Sequence, residues 1–123
     1  VIQMITFKTI DDNEMKYIIE NKEVSNNIKN VSEKVLAIFT QDWCGDWKGL
    51  KRELNTNEQN KDINLTVFIC IYNESSLYEE FMNFKEKEWK NELIPYLRYY
   101  KNGNFIKDTN HLPFQRIMNV FQQ

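Results

Sequence analysis

Glycine and proline are scarce in this 123-residue chain, three and two in all, and no Pro/Gly/Ser-rich stretch divides it. A single domain spanning residues 1–123 is therefore expected. One His and two widely separated Cys cannot supply a zinc set, so no metal is expected, and two Cys are too few for the disulfide framework of a small secreted domain. The longest apolar run, Val35 to Phe39, falls far short of the roughly 20 residues needed to span a bilayer. The opening residues show no basic start followed by an apolar run. A soluble, cytoplasmic protein without a membrane partner is the expectation. Positive charge is not in excess either: 16 Lys and Arg stand against 18 Asp and Glu, for a net charge of -2. Without a basic footprint, nucleic acid is not an expected partner.

Aromatic residues, by contrast, are plentiful, at 14% of the chain within 41% hydrophobic residues, which is material for a real core and excludes a disordered chain. Ile2 to Thr9 alternates loosely as a strand. Asp11 with Glu14 reads as an N-terminal capping pair ahead of Met15, Ile18 and Ile19. After a polar stretch from Asn21 to Asn30, Val35 to Thr40 is a continuous apolar run of the kind buried on both faces, and should be the central strand. Asp42 can cap a helix beginning in Trp43-Cys44-Gly45-Asp46, with Trp47, Leu50 and Leu54 as an inward stripe.

Ile63 to Ile71 reads as a second buried strand. Ser76 with Glu79 opens a helix whose Tyr78, Phe81, Met82, Lys85 and Trp89 share a face, while the alternation Lys85-Glu86-Lys87-Glu88 reads as a solvated face. Tyr96 to Tyr100 and Phe105 to Asp108 flank Lys101-Asn102-Gly103-Asn104, and Asn-Gly is a strong hairpin signal. Pro113 suits a first helical position, with Phe114, Ile117, Met118 and Phe121 behind it. The order is βαβαβα followed by ββα, an α/β domain with a mixed central sheet flanked by helices.

Cys44 follows a buried strand and lies in the first turn of a helix, where unpaired amides and the positive dipole end favour a thiolate. Asp42 and Asp46 oppose that effect and Lys48 partly offsets them. Cys44 is expected to be solvent-accessible. Cys70, inside the apolar run Thr66 to Ile71, reads as core.

Strand Val35 to Thr40, then Gln41-Asp42-Trp43-Cys44-Gly45-Asp46-Trp47-Lys48, then Ile94-Pro95-Tyr96 leading into a strand and an Asn-Gly hairpin, resembles the thioredoxin family. That family's signature is Trp-Cys-Gly-Pro-Cys-Lys with a later Ile-Pro-Thr. The resemblance covers nearly the whole chain in element order and implies the thioredoxin fold. It implies Cys44 as the nucleophilic, catalytic cysteine and Pro95 as a cis-proline facing it. It further implies a surface around Cys44 bordered by Trp43, Gly45, Asp46, Trp47, Ile94, Tyr96 and, through a loop, His111.

The departures from the family matter as much as the matches. The resolving Cys falls on Trp47, the buried carboxylate on Ile38, the helix-kinking Pro on Arg52, the small residue after the cis-Pro on Tyr96, and a loop Gly on His111. Trp47 reads more simply as packing on Leu50 and Leu54 than as part of a platform with Trp43, and His111 as an exposed loop residue than as a base. Two functions stay open. One is a monothiol redox protein, an oxidoreductase-like chain of cell redox homeostasis, that exchanges mixed disulfides through Cys44 with a protein or a low-molecular-weight thiol. The other is a non-catalytic thioredoxin-fold module that holds a peptide or protein segment on the Trp43, Trp47, Ile94, Tyr96 surface. No cofactor is expected for either, and a monomer is expected.

Overall fold

The computed structural model describes residues 4–123. The chain runs β1 (Ile5–Thr9), α1 (Asp12–Asn21), α2 (Asn26–Lys29), β2 (Lys34–Thr40), α3 (Gly45–Thr56), β3 (Leu65–Ile71), a 3-10 turn (Tyr72–Glu74), α4 (Tyr78–Lys87), β4 (Tyr96–Lys101), β5 (Asn104–Thr109) and α5 (Phe114–Val120). The expected order is present with two additions, the short α2 inside the stretch that reads as merely polar and the 3-10 turn after β3. Of the expected first strand, Ile2 and Gln3 lie outside the described residues. The sheet order is β1-β3-β2-β4-β5, with β1, β3 and β2 parallel and β4 and β5 antiparallel to their neighbours.

β2 is central because every residue from Val35 to Thr40 is buried, so both faces of the strand need cover. Its side chains alternate between two cores. Leu36 and Ile38 meet Trp47, Leu50 and Leu54 of α3 and Ile117 of α5 on one face. Val35, Ala37 and Phe39 meet Met15 and Ile18 of α1 and Phe81 and Phe84 of α4 on the other. Each Val, Leu, Ile, Met or Phe side chain among them, fully buried, contributes about 1.5 to 3 kcal/mol relative to exposure. Among the described residues no helix is long and apolar enough to cross a membrane.

Three local readings need correction. Asp11 does cap α1, its carboxylate accepting from the Glu14 amide at 2.9 Å, but Glu14 does not close the box. Its carboxylate instead accepts from the amide and hydroxyl of Ser25, tying α1 to the chain before α2. Asp42 is not a cap: Cys44 takes that position of α3, and the Asp42 carboxylate accepts from the Asn73 side-chain amide at 3.0 Å. The turn before α4 is closed by the Ser75 hydroxyl, which accepts from the Leu77 amide, and not by Ser76.

The Asn-Gly hairpin forms as expected, with Asn102 at φ 53° and Gly103 at φ 80°. Its tip is also docked. The Asn102 amide donates to Glu33 O at 2.8 Å, and a Cβ on Gly103 would sit 2.1 Å from Asn30 Oδ1.

Candidate functional site around Cys44

β2 delivers the chain to Gln41, and a tight turn closed by the Cys44 amide on Gln41 O (3.2 Å) starts α3. Cys44 has extended backbone and its carbonyl accepts the first helical bond, from the Lys48 amide at 3.1 Å. Its thiol therefore stands at the amino end of α3. Across from it, the Ile94-Pro95 bond is cis, and Cys44 Sγ lies 3.7 Å from Ile94 O, an S–H donating to that carbonyl. The juxtaposition of Cys44 and Pro95 is thus present in the structure.

The expectation that Cys44 is solvent-accessible is corrected. Only 5% of the residue is exposed, because it packs in the same core as Trp47 and Leu50. Cys70 is as buried as expected, at 1%, and burial, followed by the nearby charge of Asp12, pushes its thiol well above the ordinary range. Both cysteines are free.

The segment before Pro95 is held by two devices. Lys85 Nζ donates to Asn91 O and Leu93 O, both at 2.8 Å, and lies 5.5 Å from the centre of the Tyr96 ring. Asn110 donates to Pro95 O at 3.1 Å while exchanging side-chain amide bonds with Asn91 in both directions. Lys85 is consequently 1% exposed, which overturns its reading as part of a solvated charged face. Burial drags its ammonium down to about 8, against the opposing charges of Glu86 and Glu92.

On the other flank Trp43 is 64% exposed, yet its indole is fixed: Nε1 donates to Gln41 Oε1 at 2.7 Å. Gln41, itself buried, also accepts from the Tyr78 hydroxyl and donates to the Tyr72 hydroxyl, each at 3.2 Å. The Asp42 amide donates to Asn73 Oδ1 at 3.0 Å. The loop carrying Cys44 is thereby tied to the 3-10 turn and to α4. In the sequence Gln41 stands out only within the motif and Tyr78 only on a helix face, and Tyr72 and Asn73 not at all, because no spacing signal marks contacts made across 31 to 37 residues.

The remaining expected site residues are distributed unevenly. Gly45 and Asp46 are exposed beside Cys44, and a Cβ added at Gly45 would meet nothing within 4 Å. Trp47 is in the core with Leu50 and Leu54, in keeping with its simpler reading, and is not an exposed platform. Ile94 is half-buried at the thiol. Tyr96 does not belong to this surface. Its side chain lies on the opposite face of the sheet with Phe39 and Trp89, its hydroxyl donating to Asp108 and accepting from Arg98. The cause is strand alternation: in β4, Leu97 and Tyr99 face the Cys44 side, so Tyr96 cannot. His111 is an exposed loop residue one position after Asn110. Among the described residues no group of three His, Cys, Asp or Glu side chains could hold a metal.

Compared with known proteins, the chain matches no protein-family model and no curated sequence. It is similar in structure to thioredoxin O1 from Arabidopsis thaliana in its oxidised state, at 12% identity and TM-score 0.64, covering 98% of this chain and 97% of that one. A thioredoxin variant from Halobacterium salinarum superposes at TM-score 0.62 with 14% identity over 97% of this chain and 88% of that one. Oxidised mitochondrial thioredoxin 3 from Saccharomyces cerevisiae does so at TM-score 0.59 with 17% identity, over 97% and 95%. The chain has the thioredoxin fold.

Proposed function

We propose that this thioredoxin-fold chain is a thiol redox protein that works through one cysteine. The observation that carries the reading is the Cys44 thiol at the start of α3, 3.7 Å from the carbonyl of Ile94 beside Pro95, with a core tryptophan and no thiol at position 47. In the first step the Cys44 sulfur, having released its proton to solvent, attacks one sulfur of a partner disulfide. That S–S bond breaks, the other partner sulfur leaves as a thiolate, and a Cys44 mixed disulfide forms. With no thiol at position 47 and Cys70 buried, an external thiol resolves it. A thiolate of glutathione type attacks the sulfur attached to Cys44, and Cys44 departs as thiolate and is reprotonated.

The test is incubation with glutathione disulfide followed by intact-mass analysis. One adduct should form on the wild type and on Cys70→Ser, none on Cys44→Ser, and excess glutathione should remove it. Insulin reduction coupled to a thioredoxin reductase should stay at background. An adduct that persists in Cys44→Ser, or efficient insulin turnover, refutes the one-cysteine cycle.

A second reading, a peptide-holding module, is favoured by one contrast. Cys44 is 5% exposed, while Trp43 beside it and Leu93 beside Ile94 are each 64% exposed. An extended segment could lie on those two side chains without touching the sulfur. Peptide capture retained in Cys44→Ser and lost in Trp43→Ala would favour it.

A further inference from the structure

A cavity of about 700 Å³ is lined by neither Cys44 nor Pro95. It opens where the parallel strands β1 and β3 end and α1 begins, and α3 walls it with Trp47 and Lys51, one turn apart. The carboxyl ends of strands in an open α/β sheet are the usual place for a ligand crevice, and this volume falls within the range of small-molecule sites.

Its lining is divided by chemistry. Ile10, Met15, Trp47, Ile69 and Ile71 supply an apolar bed. Around it stand Asp11, Asp12 and Glu74, with Lys51 the only cation in the lining among the described residues. Three carboxylates against one ammonium leave an excess of negative charge, and Lys51 has no ion-pair partner within 4 Å among the described residues. The acidic rim is held in place: the Asp12 carboxylate accepts from the Ser75 hydroxyl at 2.7 Å, and Asp11 accepts from the Glu14 amide. Asp12 also acts inward, since its charge is felt by the buried Cys70 thiol at the cavity wall.

We propose that this cavity binds a small organic cation with an apolar body, the body resting on the Ile10, Ile69 and Trp47 side and the cationic group against Asp12 and Glu74. An anion of the same shape would meet three carboxylates, with Lys51 and the amide end of α1 to receive it, and a neutral analogue would gain only the apolar bed. This site is independent of the thiol reading, because it uses neither Cys44 nor Pro95.

Three probes of one shape test it: 2-phenylethylamine, 2-phenylethanol and 3-phenylpropionate, titrated into the ¹⁵N-labelled full chain and followed by amide shifts. The amine should give saturable shifts at Asp12, Trp47, Lys51, Glu74 and Ser75 and bind at least about fivefold more tightly than the propionate. Glu74→Gln, at an exposed side chain, should weaken the amine by roughly two- to fivefold and leave the alcohol unchanged. Cys44→Ser should bind the amine as the wild type does. The proposal is overturned if the three probes bind alike, if the anion is preferred, if the shifts fall elsewhere, if none saturates at millimolar concentration, or if Glu74→Gln and Asp12→Asn both leave amine binding intact.

Discussion

Replacing Lys85 with Met tests how the Pro95 loop is held, and it does so through a pH dependence with a definite sign. Lys85 Nζ supplies the donors for Asn91 O and Leu93 O, and removing it leaves two carbonyls without them, at about 1 to 3 kcal/mol each when buried. Relief of the ammonium's desolvation offsets part of that loss, so a net destabilisation of about 1 to 3 kcal/mol is expected at pH 7. The folded-state ammonium titrates near 8 against an ordinary value near 10.5. At pH 7 it is protonated in both states. Between pH 8 and 10.5 the unfolded chain binds the proton more than the folded chain does, so Lys85 stabilises the fold increasingly as pH rises. The neutral amine still has hydrogens for both carbonyls. From pH 7 to 9.5 the gain is of order 1 to 2 kcal/mol.

Cys70 acts in the opposite direction over the same range: its thiol is held up in the fold, and the unfolded chain loses that proton first. Above pH 10, Tyr72, Tyr96, Tyr99 and Tyr100, all pushed up by burial, add to that opposing trend. The observable is therefore the difference between wild type and Lys85→Met in urea unfolding at pH 7 and at pH 9.5. That difference should widen by about 1 to 2 kcal/mol at the higher pH. A difference that is constant, or that narrows, refutes the assignment of a buried ammonium at this position.

Iodoacetamide applied briefly to the native protein should label Cys44 slowly and Cys70 only after denaturant is added, since Cys44 stands at a helix start with 5% of the residue exposed and Cys70 lies within β3 with 1%; peptide mapping showing equal labelling would contradict the placement of both. Trp47→Cys, which restores the thiol spacing of the family signature, should cost about 3 to 5 kcal/mol by removing a core side chain packed on Leu50 and Leu54, read by chemical denaturation. A loss below about 1 kcal/mol would mean that Trp47 is not part of the core.

What could be read from the sequence was whatever repeats along one element. The β2 run, the Trp47, Leu50, Leu54 stripe and the Asn102-Gly103 turn each carry their own local period or dihedral requirement, and all three stand in the structure. Tyr96 was misplaced because the resemblance named a position and not a face. One residue along a strand reverses the side chain's direction. Lys85 falls at the right spacing to share a face with Phe81 and Trp89, and only its alternation with Glu86 points to solvent; its burial as a charge depends on carbonyls that the chain supplies six and eight residues later without any pattern. The bonds of Gln41 to Tyr72 and Tyr78 join β2 to the region after β3, and only the folded sheet brings those positions together. Cys44 followed its expected element, but its burial is set by the packing of α3 against the sheet, which a helix-start rule does not contain.

The docked tip of the β4–β5 hairpin bears on how this chain can change in length. A hairpin end is ordinarily where a domain tolerates additional sequence, because no other part of the backbone depends on it. Here the Asn102 amide belongs to Glu33 and the space beside Gly103 belongs to Asn30, so the tip is an internal joint and the segment ahead of β2 is its socket. A single added residue would break both attachments at once. Lineages of this chain that lengthen should therefore do so at other turns, and a reporter peptide spliced between Asn102 and Gly103 should lower the unfolding temperature instead of being carried as a passive passenger.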